Sequence, residues 1–494
     1  HHTTEAVNIT RILLLFFGYV LWSKNADYWK KRNIIQADGL LWKFLKGNRS
    51  MPEYIKEIYD AYDTHVGVFM GSKPALVLKN LEDIQAVMAG DFQSFYSRGI
   101  TFNTTDVLAD NLLFIDEYKR WKYIRQKLTP VFTTSKLKNM FYIMNKCAKD
   151  FVELIDNDDI IRKTPFNALF TYTSASISAS VFGIDIKSSK STMDSPFIDM
   201  VWKSVEPSLK ANIKFLLSSV SPYLFKWLNL KIFGDFEEFF VGAIRSVMEK
   251  RRKSLEKKHD FIEICLELQK QGVIRDPQTG YELKPTVEVL AAQAFFFFIA
   301  GADTSANTMH FLLLELAGQP EVLAKVHAEI DSIFQDDTED LKTTDVEKMR
   351  YLDMVINESM RKYPNMGSLQ RKCTRDTVLP GSKVKIDKDT VVMISVYGIH
   401  NDAKYHPNPD VFDPERFASE NLSKMNKYSF LPFGEGNRTC IGNRFARLQM
   451  KAGLAWLLRK YTLAGEKYAP KHFERSTFSL RDTKARYELI PRDL

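Results

Sequence analysis

Residues 433–442 read FGEGNRTCIG, and this stretch decides the fold. It matches the spacing F-x-x-G-x-R-x-C-x-G, whose five fixed positions are Phe433, Gly436, Arg438, Cys440 and Gly442. At average residue usage, a match at all five positions arises by chance in about one chain of this length in ten thousand. The periodic apolar residues that follow predict a helix over roughly residues 441–460.

The loop suits a cysteine that binds a metal as its thiolate. A thiolate needs positive potential, and the free N–H groups at the start of the predicted helix supply it to Cys440. The glycines permit a tight turn that brings backbone N–H donors close to the sulfur. Phe433 would keep water from the thiolate, and Arg438 would reach an anionic group of a cofactor. The alternative is a buried, inert cysteine behind a turn.

The composition is that of a large, mostly helical globular protein. The chain has 494 residues, 45% apolar and 13% aromatic, which is enough to bury a sizeable core and excludes global disorder. Its 22 glycines and 18 prolines fall below the roughly 60 that average usage predicts for this length. So few helix breakers favour helix over a turn-rich β architecture.

The charge and the cysteines narrow the class of partner. A net charge of +8 spread over the chain does not indicate nucleic acid and suits an anionic membrane or an acidic protein. The most basic stretch, residues 250–259, is interpreted as a solvated helix end or linker. The four cysteines form no C-x-x-C pair, so we expect neither a disulfide framework nor a structural zinc site.

Residues 285–320 contain no internal proline and predict a helix of about 30 residues. This segment is apolar nearly all round over VLAAQAFFFFIAGA, so we expect it to be buried rather than to lie on the surface. Short apolar runs at 66–70 and 75–78 predict a hairpin, and residues 384–386 and 391–396 predict strands. The chain therefore combines a long core helix with a minor β component.

Residues 12–22 read ILLLFFGYVLW and precede the basic residues Lys24, Lys30, Lys31 and Arg32. We interpret residues 1–32 as a membrane anchor with its basic flank, and residues 33–494 as the catalytic domain. The positive charges would keep the following chain on the cytoplasmic side. The apolar run is shorter than the about 20 residues that span a bilayer, and the alternative is a buried amphipathic helix.

With these motifs the chain resembles the cytochrome P450 superfamily, and it is most similar to insect microsomal members linked to xenobiotic metabolism. The similarity runs from residue 28 to the C-terminus and includes YWKKR, DFQSFYSRGI, KLTPVFTTSKLKNM and FLPFGEGNRTCIGNRFA. The resemblance implies a mostly α fold with a small β-rich subdomain. It also implies haem b as cofactor and Cys440 as the thiolate ligand of the haem iron.

Residues 300–305 read AGADTS and match the oxygen-activation motif of the family. Cleavage of dioxygen requires two protons, and Asp303 beside Thr304 would deliver them through water. Ala300 and Gly301 are assigned to the cofactor site, because Gly301 lacks the bulk that would hold a flat cofactor away from the helix. The alternative is a helix kink with Thr304 hydrogen bonded to its own helix.

The resemblance also assigns the residues that bind the haem propionates. Trp121 and Arg125 match the W-x-x-x-R motif of the family, in which an indole N–H and a guanidinium bind one propionate. Arg371 and Arg438 are assigned the same role, and His400 is a further candidate. A metal site made by His400 and His406 is the competing hypothesis.

A third motif lies on the helix predicted at residues 351–364. Glu358 and Arg361 have E-x-x-R spacing there, and Arg416 follows in the string PERF. Four other E-x-x-R strings start at Glu117, Glu249, Glu347 and Glu435, so the spacing alone is weak evidence. The resemblance assigns Glu358, Arg361 and Arg416 to a buried network that fixes the region behind the cysteine loop.

These assignments imply a haem-thiolate monooxygenase that inserts one atom of O₂ into apolar small molecules, with xenobiotics as the expected class. By family position, the substrate pocket is formed by residues 95–114, 207–225 and 295–302, and by the surroundings of Gly367 and Phe478. Asn365 replaces a proline that is common in the family, and Ala302 replaces a bulky aromatic residue. Both are expected near the substrate.

The implied partners follow from the same resemblance. No flavin-binding motif is present, so electrons would come from a separate NADPH–cytochrome P450 reductase, with cytochrome b5 as a second candidate donor. The reductase would dock on a basic side made of Lys122, Lys127, Lys424 and Lys427. The expected location is the endoplasmic reticulum membrane, with the catalytic domain on the cytoplasmic face.

Three alternatives to this function stay open at the level of the sequence. The same fold can oxidise an endogenous hormone or fatty acid, or rearrange a hydroperoxide without oxygen. The chain can also be a haem-binding carrier or sensor without turnover. An intact Asp303–Thr304 pair argues against rearrangement, and nothing in the sequence separates xenobiotic from endogenous substrates.

Overall fold

Helices make up most of the folded chain, as the scarcity of glycine and proline predicts. The computed structural model describes residues 26–184, 196–334 and 340–493. The helices in chain order are α1 (Leu40–Lys46), α2 (Met51–Ala61), α3 (Leu81–Gln85), α4 (Phe92–Phe95), α5 (Tyr118–Leu128), α6 (Thr134–Asn157), α7 (Asp159–Arg162), α8 (Pro165–Phe182), α9 (Pro196–Val205), α10 (Leu209–Val220), α11 (Pro222–Trp227), α12 (Glu237–Lys253), α13 (Phe261–Gln271), α14 (Val287–Ala317), α15 (Pro320–Ile333), α16 (Thr343–Lys348), α17 (Arg350–Lys362), α18 (Val396–His400), α19 (Ser419–Leu422) and α20 (Asn443–Lys460).

The strands are short and form a small β-rich subdomain. They are β1 (Ile35–Gln36), β2 (Val66–Met70), β3 (Lys73–Leu78), β4 (Ile274–Arg275), β5 (Glu282–Leu283), β6 (Leu369–Lys372), β7 (Thr377–Val378), β8 (Lys385–Ile386), β9 (Val391–Ile394), β10 (Tyr461–Ala464) and β11 (Glu488–Pro491). Five of them form one sheet in the order β1-β2-β3-β9-β6. The antiparallel β2–β3 pair is the predicted hairpin, and β8 and β9 are shorter than predicted. The fold class, mostly α with a small β-rich subdomain, is confirmed.

The central element is α14, whose 31 residues agree with the predicted length. The hydroxyl of Thr286 accepts a hydrogen bond from the N–H of Val289 at 3.3 Å and caps the first turn. The helix packs against α8, α12, α17 and α20. It is the one helix in the described ranges that is long and apolar enough to cross a membrane. Most of its side chains are buried in the core, so the prediction of a buried helix is confirmed.

The predicted anchor at residues 12–22 lies outside the described residues. The chain just after it is attached to the β-rich subdomain: Trp29 is 1% exposed, and its indole N–H donates to the carbonyl of Val68 at 3.1 Å. Tyr28 donates to Asp387 at 2.9 Å, and Arg32 pairs with the same carboxylate. Residues 28–32 thus pack onto the folded body, and the division of the chain at residue 32 stays a prediction.

Two hydrophobic cores divide the described chain. One joins α14 to the surrounding helices, and the other lies under the five-stranded sheet and includes α1 and α2. The cysteine loop directly precedes α20, which belongs to the helical core, whereas Arg371 lies on β6 of the sheet. The candidate site therefore draws its residues from both parts of the fold.

Candidate active site

The cysteine loop forms the tight turn that its glycines predict. The N–H of Cys440 donates to the carbonyl of Phe433 at 2.9 Å, which closes the loop. Gly436 has φ +75°, and a Cβ placed on it would lie 2.0 Å from the carbonyl oxygen of Met88. Because that atom belongs to the backbone, only glycine fits at this position. A Cβ on Gly442 would meet no heavy atom of the described chain within 4 Å.

The pKa of the Cys440 thiol is raised by burial, and the neighbouring groups offset only part of this rise. Burial raises the pKa of Cys440, whereas the N–H of Gly442 and the charges of Arg125 and Arg98 lower it. The side chain keeps accessible surface although protein surrounds it, so the sulfur faces an internal space rather than bulk solvent. This arrangement leaves the sulfur free to bind a ligand on that side.

Four arginines from separate elements gather around this space: Arg98, Arg125, Arg371 and Arg438. Burial and the charge of Arg438 lower the pKa of Arg371 to about 9. Burial and the charges of Arg98 and Arg125 lower the pKa of Arg438 to about 8, while Asp116 opposes this. Burial, Arg371 and Arg125 likewise lower the pKa of Arg98, and the charge of Cys440 opposes them. Like charges are therefore held close together.

These guanidinium groups are only partly satisfied by protein. Arg125 and Arg438 each donate to a backbone carbonyl, at 2.8 and 3.0 Å, and the ring of Trp121 lies 4.6 Å from the guanidinium carbon of Arg438. Buried nitrogens of Arg98, Arg371 and Arg438 have no hydrogen-bond partner among the described residues. Buried cations of this kind require anions. The two carboxylates of haem, with iron bound by the sulfur of Cys440, supply such anions, so the residues fit this cofactor.

Arg98 is a member of this cluster that the sequence interpretation missed. Ser97 forms a β-bridge with Lys372, next to Arg371 on β6, and the amide of Gln370 donates to the carbonyl of Arg98 at 2.8 Å. This pairing places Arg98 beside Arg371 although 272 residues separate Gln370 from Arg98. The quoted string DFQSFYSRGI contains the residue, but nothing local marks it as buried.

One face of α14 is not covered by other side chains. Between residues 290 and 316 every residue is buried except six: Phe296, Ile299, Ala300, Gly301, Asp303 and Thr304. Most of these recur every three or four residues and therefore form one stripe. The amide of Gln449 on α20 donates to the carbonyl of Gly301 at 2.9 Å, so the stripe and the cysteine loop border the same region. The stripe is therefore a candidate wall of the cofactor site.

The structure corrects the reason given for Gly301. A Cβ on Gly301 would lie 2.7 Å from Cδ1 of Ile177 on α8, so the missing side chain allows two helices to approach. Ala302 is also turned away from the stripe: it is fully buried, and its carbonyl accepts from Thr173 on α8 at 2.8 Å. Of the motif AGADTS, the stripe therefore contains Ala300, Asp303 and Thr304.

Asp303 and Thr304 do not hydrogen bond to each other directly, because each side chain has another partner. The hydroxyl of Thr304 donates to the carbonyl of Ala300 at 2.6 Å, as in the helix alternative. Both carboxylate oxygens of Asp303 accept from Nη1 of Arg481 at 2.6 Å. Arg481 comes from the loop before β11, is 2% exposed and was not expected from the sequence. The acid is thus held by a cation rather than by its neighbour.

The buried network on α17 is present as assigned. Arg361 binds both oxygens of Glu358, at 2.7 and 2.8 Å, and Arg416 reaches the same carboxylate at 3.3 Å. Arg361 and Arg416 also donate to carbonyls of the loop at residues 407–411. Glu358 and Arg361 are fully buried. The network therefore ties α17 to the irregular segment that leads to the cysteine loop.

The two histidines near this network do not form a metal site. The ring of His400 accepts from the N–H of Leu431 at 2.7 Å through Nε2 and faces the carbonyl of Arg361 at 3.1 Å through Nδ1. His406 faces the carbonyl of Ser429 at 2.8 Å. Within the described ranges, no three His, Cys, Asp or Glu side chains form a metal-binding group. His400 also bonds to backbone groups rather than to the arginine cluster.

An aromatic cluster lies where the substrate pocket is predicted. Its six rings approach one another at centroid distances between 4.5 and 6.5 Å. They are Phe102, Phe114, Phe215, Phe233, Phe295 and Phe478. These rings come from four separate segments, so apolar surface from distant parts of the chain meets above one end of α14.

Comparison with known proteins agrees with this site. The family model "Cytochrome P450" matches residues 37–489. The chain is 34% identical over 476 residues to Cytochrome P450 6B2 of Helicoverpa armigera, with 94% of this chain and 93% of that protein covered. It is 31% identical over 495 residues to Probable cytochrome P450 6a13 of Drosophila melanogaster, covering 95% and 96%. The chain therefore belongs to the cytochrome P450 family. It is a cytochrome P450 monooxygenase whose cofactor is haem.

Proposed function

We propose that this enzyme inserts one oxygen atom of O₂ into apolar small molecules, with foreign compounds as the main class. The observation that carries the proposal is Cys440, whose sulfur keeps accessible surface beside a cluster of four arginines. Three of these arginines have buried nitrogens without a hydrogen-bond partner among the described residues. Bound haem supplies the oxygen chemistry, and a thiolate ligand favours cleavage of the O–O bond. The aromatic cluster supports an apolar substrate, because it offers rings and no charged group.

The chain's own residues have distinct parts in this proposal. Cys440 binds the iron, and the loop held by Phe433, Gly436 and Gly442 keeps N–H donors near the sulfur. Trp121, Arg125, Arg371 and Arg438 bind the propionates together with Arg98. Asp303 and Thr304 hold and move protons on the exposed stripe of α14, beside Ala300. Glu358, Arg361 and Arg416 keep the loop in place.

A reduced, CO-bound difference spectrum of the purified protein tests the thiolate. We expect a strongly red-shifted Soret band, because a cysteine thiolate donates electron density to the iron. Cys440→His removes the shift, whereas the matched variant Cys373→Ser keeps it, since Cys373 is fully buried and bonds to the carbonyl of Arg375. An unshifted band in the unmodified chain would contradict the proposal.

Turnover is tested with ¹⁸O₂, NADPH and a separate reductase. A panel that contains plant toxins, insecticides, fatty acids and steroid hormones separates foreign from endogenous substrates. The expected result is a product that carries one labelled oxygen atom, formed faster from the foreign compounds. Product formation from a hydroperoxide without NADPH would instead support rearrangement.

The electron donor is proposed to be NADPH–cytochrome P450 reductase, with cytochrome b5 as a second donor. Lys424 and Lys427 are exposed, and Lys427 lies 3.4 Å from Glu435, whereas Lys122 and Lys127 are partly buried. We expect Lys424→Glu with Lys427→Glu to slow reductase-supported turnover at low salt, and the difference to shrink at high salt. Lys257→Glu, which changes an exposed lysine on a different segment, is the control. Equal rates at low salt would contradict docking on this side.

We infer an endoplasmic reticulum location, with the catalytic domain on the cytoplasmic face of the membrane. Several large apolar side chains are exposed on α1, α10 and α11: Trp42 at 60%, Leu209 at 60%, Tyr223 at 84% and Trp227 at 72%. Arg475 joins α1 to α10, because it donates to the carbonyl of Phe44 at 2.9 Å and accepts from Asn212 at 3.3 Å. Exposed aromatic residues on adjoining elements suit a membrane interface.

A further inference from the structure

A polar face of α14 lies against the loop before β11. Asp303, Asn307 and His310 follow one another at intervals of four and three residues, so they share this face. Each binds one residue of the loop: Asp303 binds the side chain of Arg481, Asn307 donates to the carbonyl of Leu480 at 2.9 Å, and His310 approaches the carbonyl of Asp482 at 2.9 Å. The helix that carries the predicted proton donor is thus joined to the loop by three polar contacts.

Asn365, in the segment between α17 and β6, binds both the helix and the loop. We call these contacts together the joint. The side-chain NH₂ of Asn365 donates to the hydroxyl of Thr308 at 2.7 Å, and its side-chain oxygen accepts from Asn307 at 2.7 Å. Its backbone carbonyl accepts from the N–H of Leu480 at 3.0 Å. A proline at position 365 has no amide to make the side-chain contacts. Asn365 therefore helps to position residues 480–482, which a proline could not do in the same way.

The joint leaves donors and acceptors that complement one another. Nε and Nη2 of Arg481, the side-chain oxygen of Asn307 and Nδ1 of His310 are buried without partners among the described residues. Burial lowers the pKa of His310 to about 4, so the ring is neutral at pH 7. Its Nε2–H then donates to the carbonyl of Asp482, and Nδ1 is an acceptor. The charge of Arg481 acts on His310, so two arginine donors and two acceptors lie in one buried region, and a bound water molecule would satisfy them.

The ion pair between Asp303 and Arg481 uses only part of the hydrogen-bonding capacity of the arginine. Nη1 of Arg481 binds both oxygens of Asp303, and the other two guanidinium nitrogens have no hydrogen-bond partner in the part of the chain that the structure describes. Arginine frequently pairs with a carboxylate through two nitrogens and two oxygens, as Arg361 does with Glu358. Nε and Nη2 of Arg481 are instead available to a further ligand.

A pocket of about 460 Å³ opens beside this joint. Its wall includes Asp482, Glu474 and Trp202. Asp482 lies both at the joint and in the wall of the pocket. Its backbone carbonyl meets His310, and its carboxylate accepts from Tyr468 at 2.6 Å. The ring of Phe166 contacts both Trp202, at 5.6 Å, and the guanidinium of Arg481, at 5.4 Å. Phe166 therefore connects the wall of the pocket to the guanidinium of Arg481.

We propose that Arg481, Asn307 and His310 form a buried water site through which Asp303 exchanges protons with this pocket, and that Arg481 is the positioning residue for the Asp303 carboxylate. The inference rests on the proposed role of Asp303. When Asp303 gives a proton to the stripe that holds Thr304, water at this site returns one to the carboxylate. The proton lost by that water is replaced from the pocket. Arg481 stays charged throughout and holds the carboxylate of Asp303 toward the water site.

The first test is a crystal structure of the haem-loaded enzyme at a resolution that shows ordered water. We expect a water molecule bonded to Nε or Nη2 of Arg481 and also to the side-chain oxygen of Asn307 or to Nδ1 of His310. A dry site, in which these atoms contact only carbon, overturns the proposal whatever the activity.

The second test measures coupling, with NADPH, reductase and a substrate that shifts the haem spectrum. We expect Arg481→Gln to raise the ratio of hydrogen peroxide to product about tenfold, because a misplaced proton donor loses much of its effect. The solvent isotope effect on product formation rises as well. His310→Phe keeps a ring of similar size and the Asp303–Arg481 pair, and should uncouple in the same direction. Arg486→Gln, an exposed position on the same segment, is the matched control and stays coupled.

The outcomes separate this inference from the proposed function. If Asp303→Asn uncouples the enzyme but Arg481→Gln and His310→Phe do not, the proton site is wrong and the role of Asp303 stands. If Asp303→Asn also leaves coupling unchanged, the role proposed for Asp303 fails. If Arg481→Gln lowers haem content and thermal stability with an unchanged peroxide ratio per haem, Arg481 is only structural, and the inference is overturned.

Discussion

At the scale of single residues, the clearest feature is a set of arginines placed where their own charges repel. Arg98, Arg371 and Arg438 lower one another's pKa and keep buried nitrogens without protein partners. Such a cluster costs stability unless an anion is bound. The position of these residues is therefore explained by the cofactor that they bind and not by the fold that they support.

Arg98→Gln tests this explanation. We expect haem to dissociate at least about tenfold faster, since a hydrogen bond to a charged group contributes about 1.5–3 kcal/mol. Transfer of haem to apomyoglobin measures the rate. The haem-free protein should unfold at the same or a higher temperature than the unmodified chain, because one repelling charge is gone.

Arg245→Gln is the control, because Arg245 is half exposed and pairs at 3.5 Å with Glu288. It should change neither the dissociation rate nor the unfolding of the haem-free form. A loss of stability in haem-free Arg98→Gln equal to that of the haem-loaded form would mean that Arg98 is structural.

At the scale of elements, α14 has different functions on its different sides. One stripe is left uncovered for the site, one side packs against α8, and one binds the loop before β11. Gly301 serves the second of these sides, whereas Asp303, two residues further on, lies at the edge of the stripe and binds the loop. The motif AGADTS is therefore as much a packing motif as a chemical one.

Gly301→Ala measures the packing against α8. A Cβ 2.7 Å from Cδ1 of Ile177 overpacks the interface, and we expect a loss of about 1–3 kcal/mol in the free energy of unfolding. Adding Ile177→Ala makes room and should recover part of the loss. Urea unfolding followed by circular dichroism measures the change.

Gly242→Ala is the matched control on α12. Gly242 is exposed, and a Cβ there meets no described heavy atom within 4 Å. The same substitution should therefore stabilise the helix by about 0.5–1 kcal/mol. If Gly301→Ala behaved like Gly242→Ala, the contact with α8 would not limit the size of residue 301.

At the scale of the whole molecule, exposed aromatic residues concentrate on elements joined to the β-rich subdomain. Trp42 lies on α1, and Trp227 ends α11. Leu216 of α10 belongs to the core under the sheet, and a Cβ on Gly71 at the hairpin turn would lie 2.5 Å from Val220 of α10. These contacts make α1, α10, α11 and the sheet neighbours, so their exposed large apolar groups belong to one region of the surface, the apolar side.

Quenching of tryptophan fluorescence by brominated phospholipids tests whether this side meets the membrane. In full-length protein bound to vesicles, Trp227→Phe should remove part of the quenched emission, because Trp227 is 72% exposed and would lie at the interface. Trp456→Phe should leave the quenched part unchanged, since Trp456 packs against Phe334 at 4.9 Å. Equal effects of the two variants would contradict this orientation.

The sequence predicted best the features that depend on neighbours along the chain. The extent of α14 follows from an apolar segment without proline, and the turn before Cys440 follows from its glycines. Arg98, Arg481 and the function of Gly301 were missed or misread for a common reason. Each depends on a residue far away in the chain, namely Arg371, Asp303 and Ile177.

By itself the sequence determined the family, the cofactor and the cysteine assigned to the iron, because a metal-binding loop is a local pattern whose spacing already fixes its chemistry. The tertiary structure alone decided which partner Asp303 takes and which arginines gather near Cys440. Charges and hydrogen bonds act over a few ångströms in space, so their partners are known only once the chain has brought distant segments together.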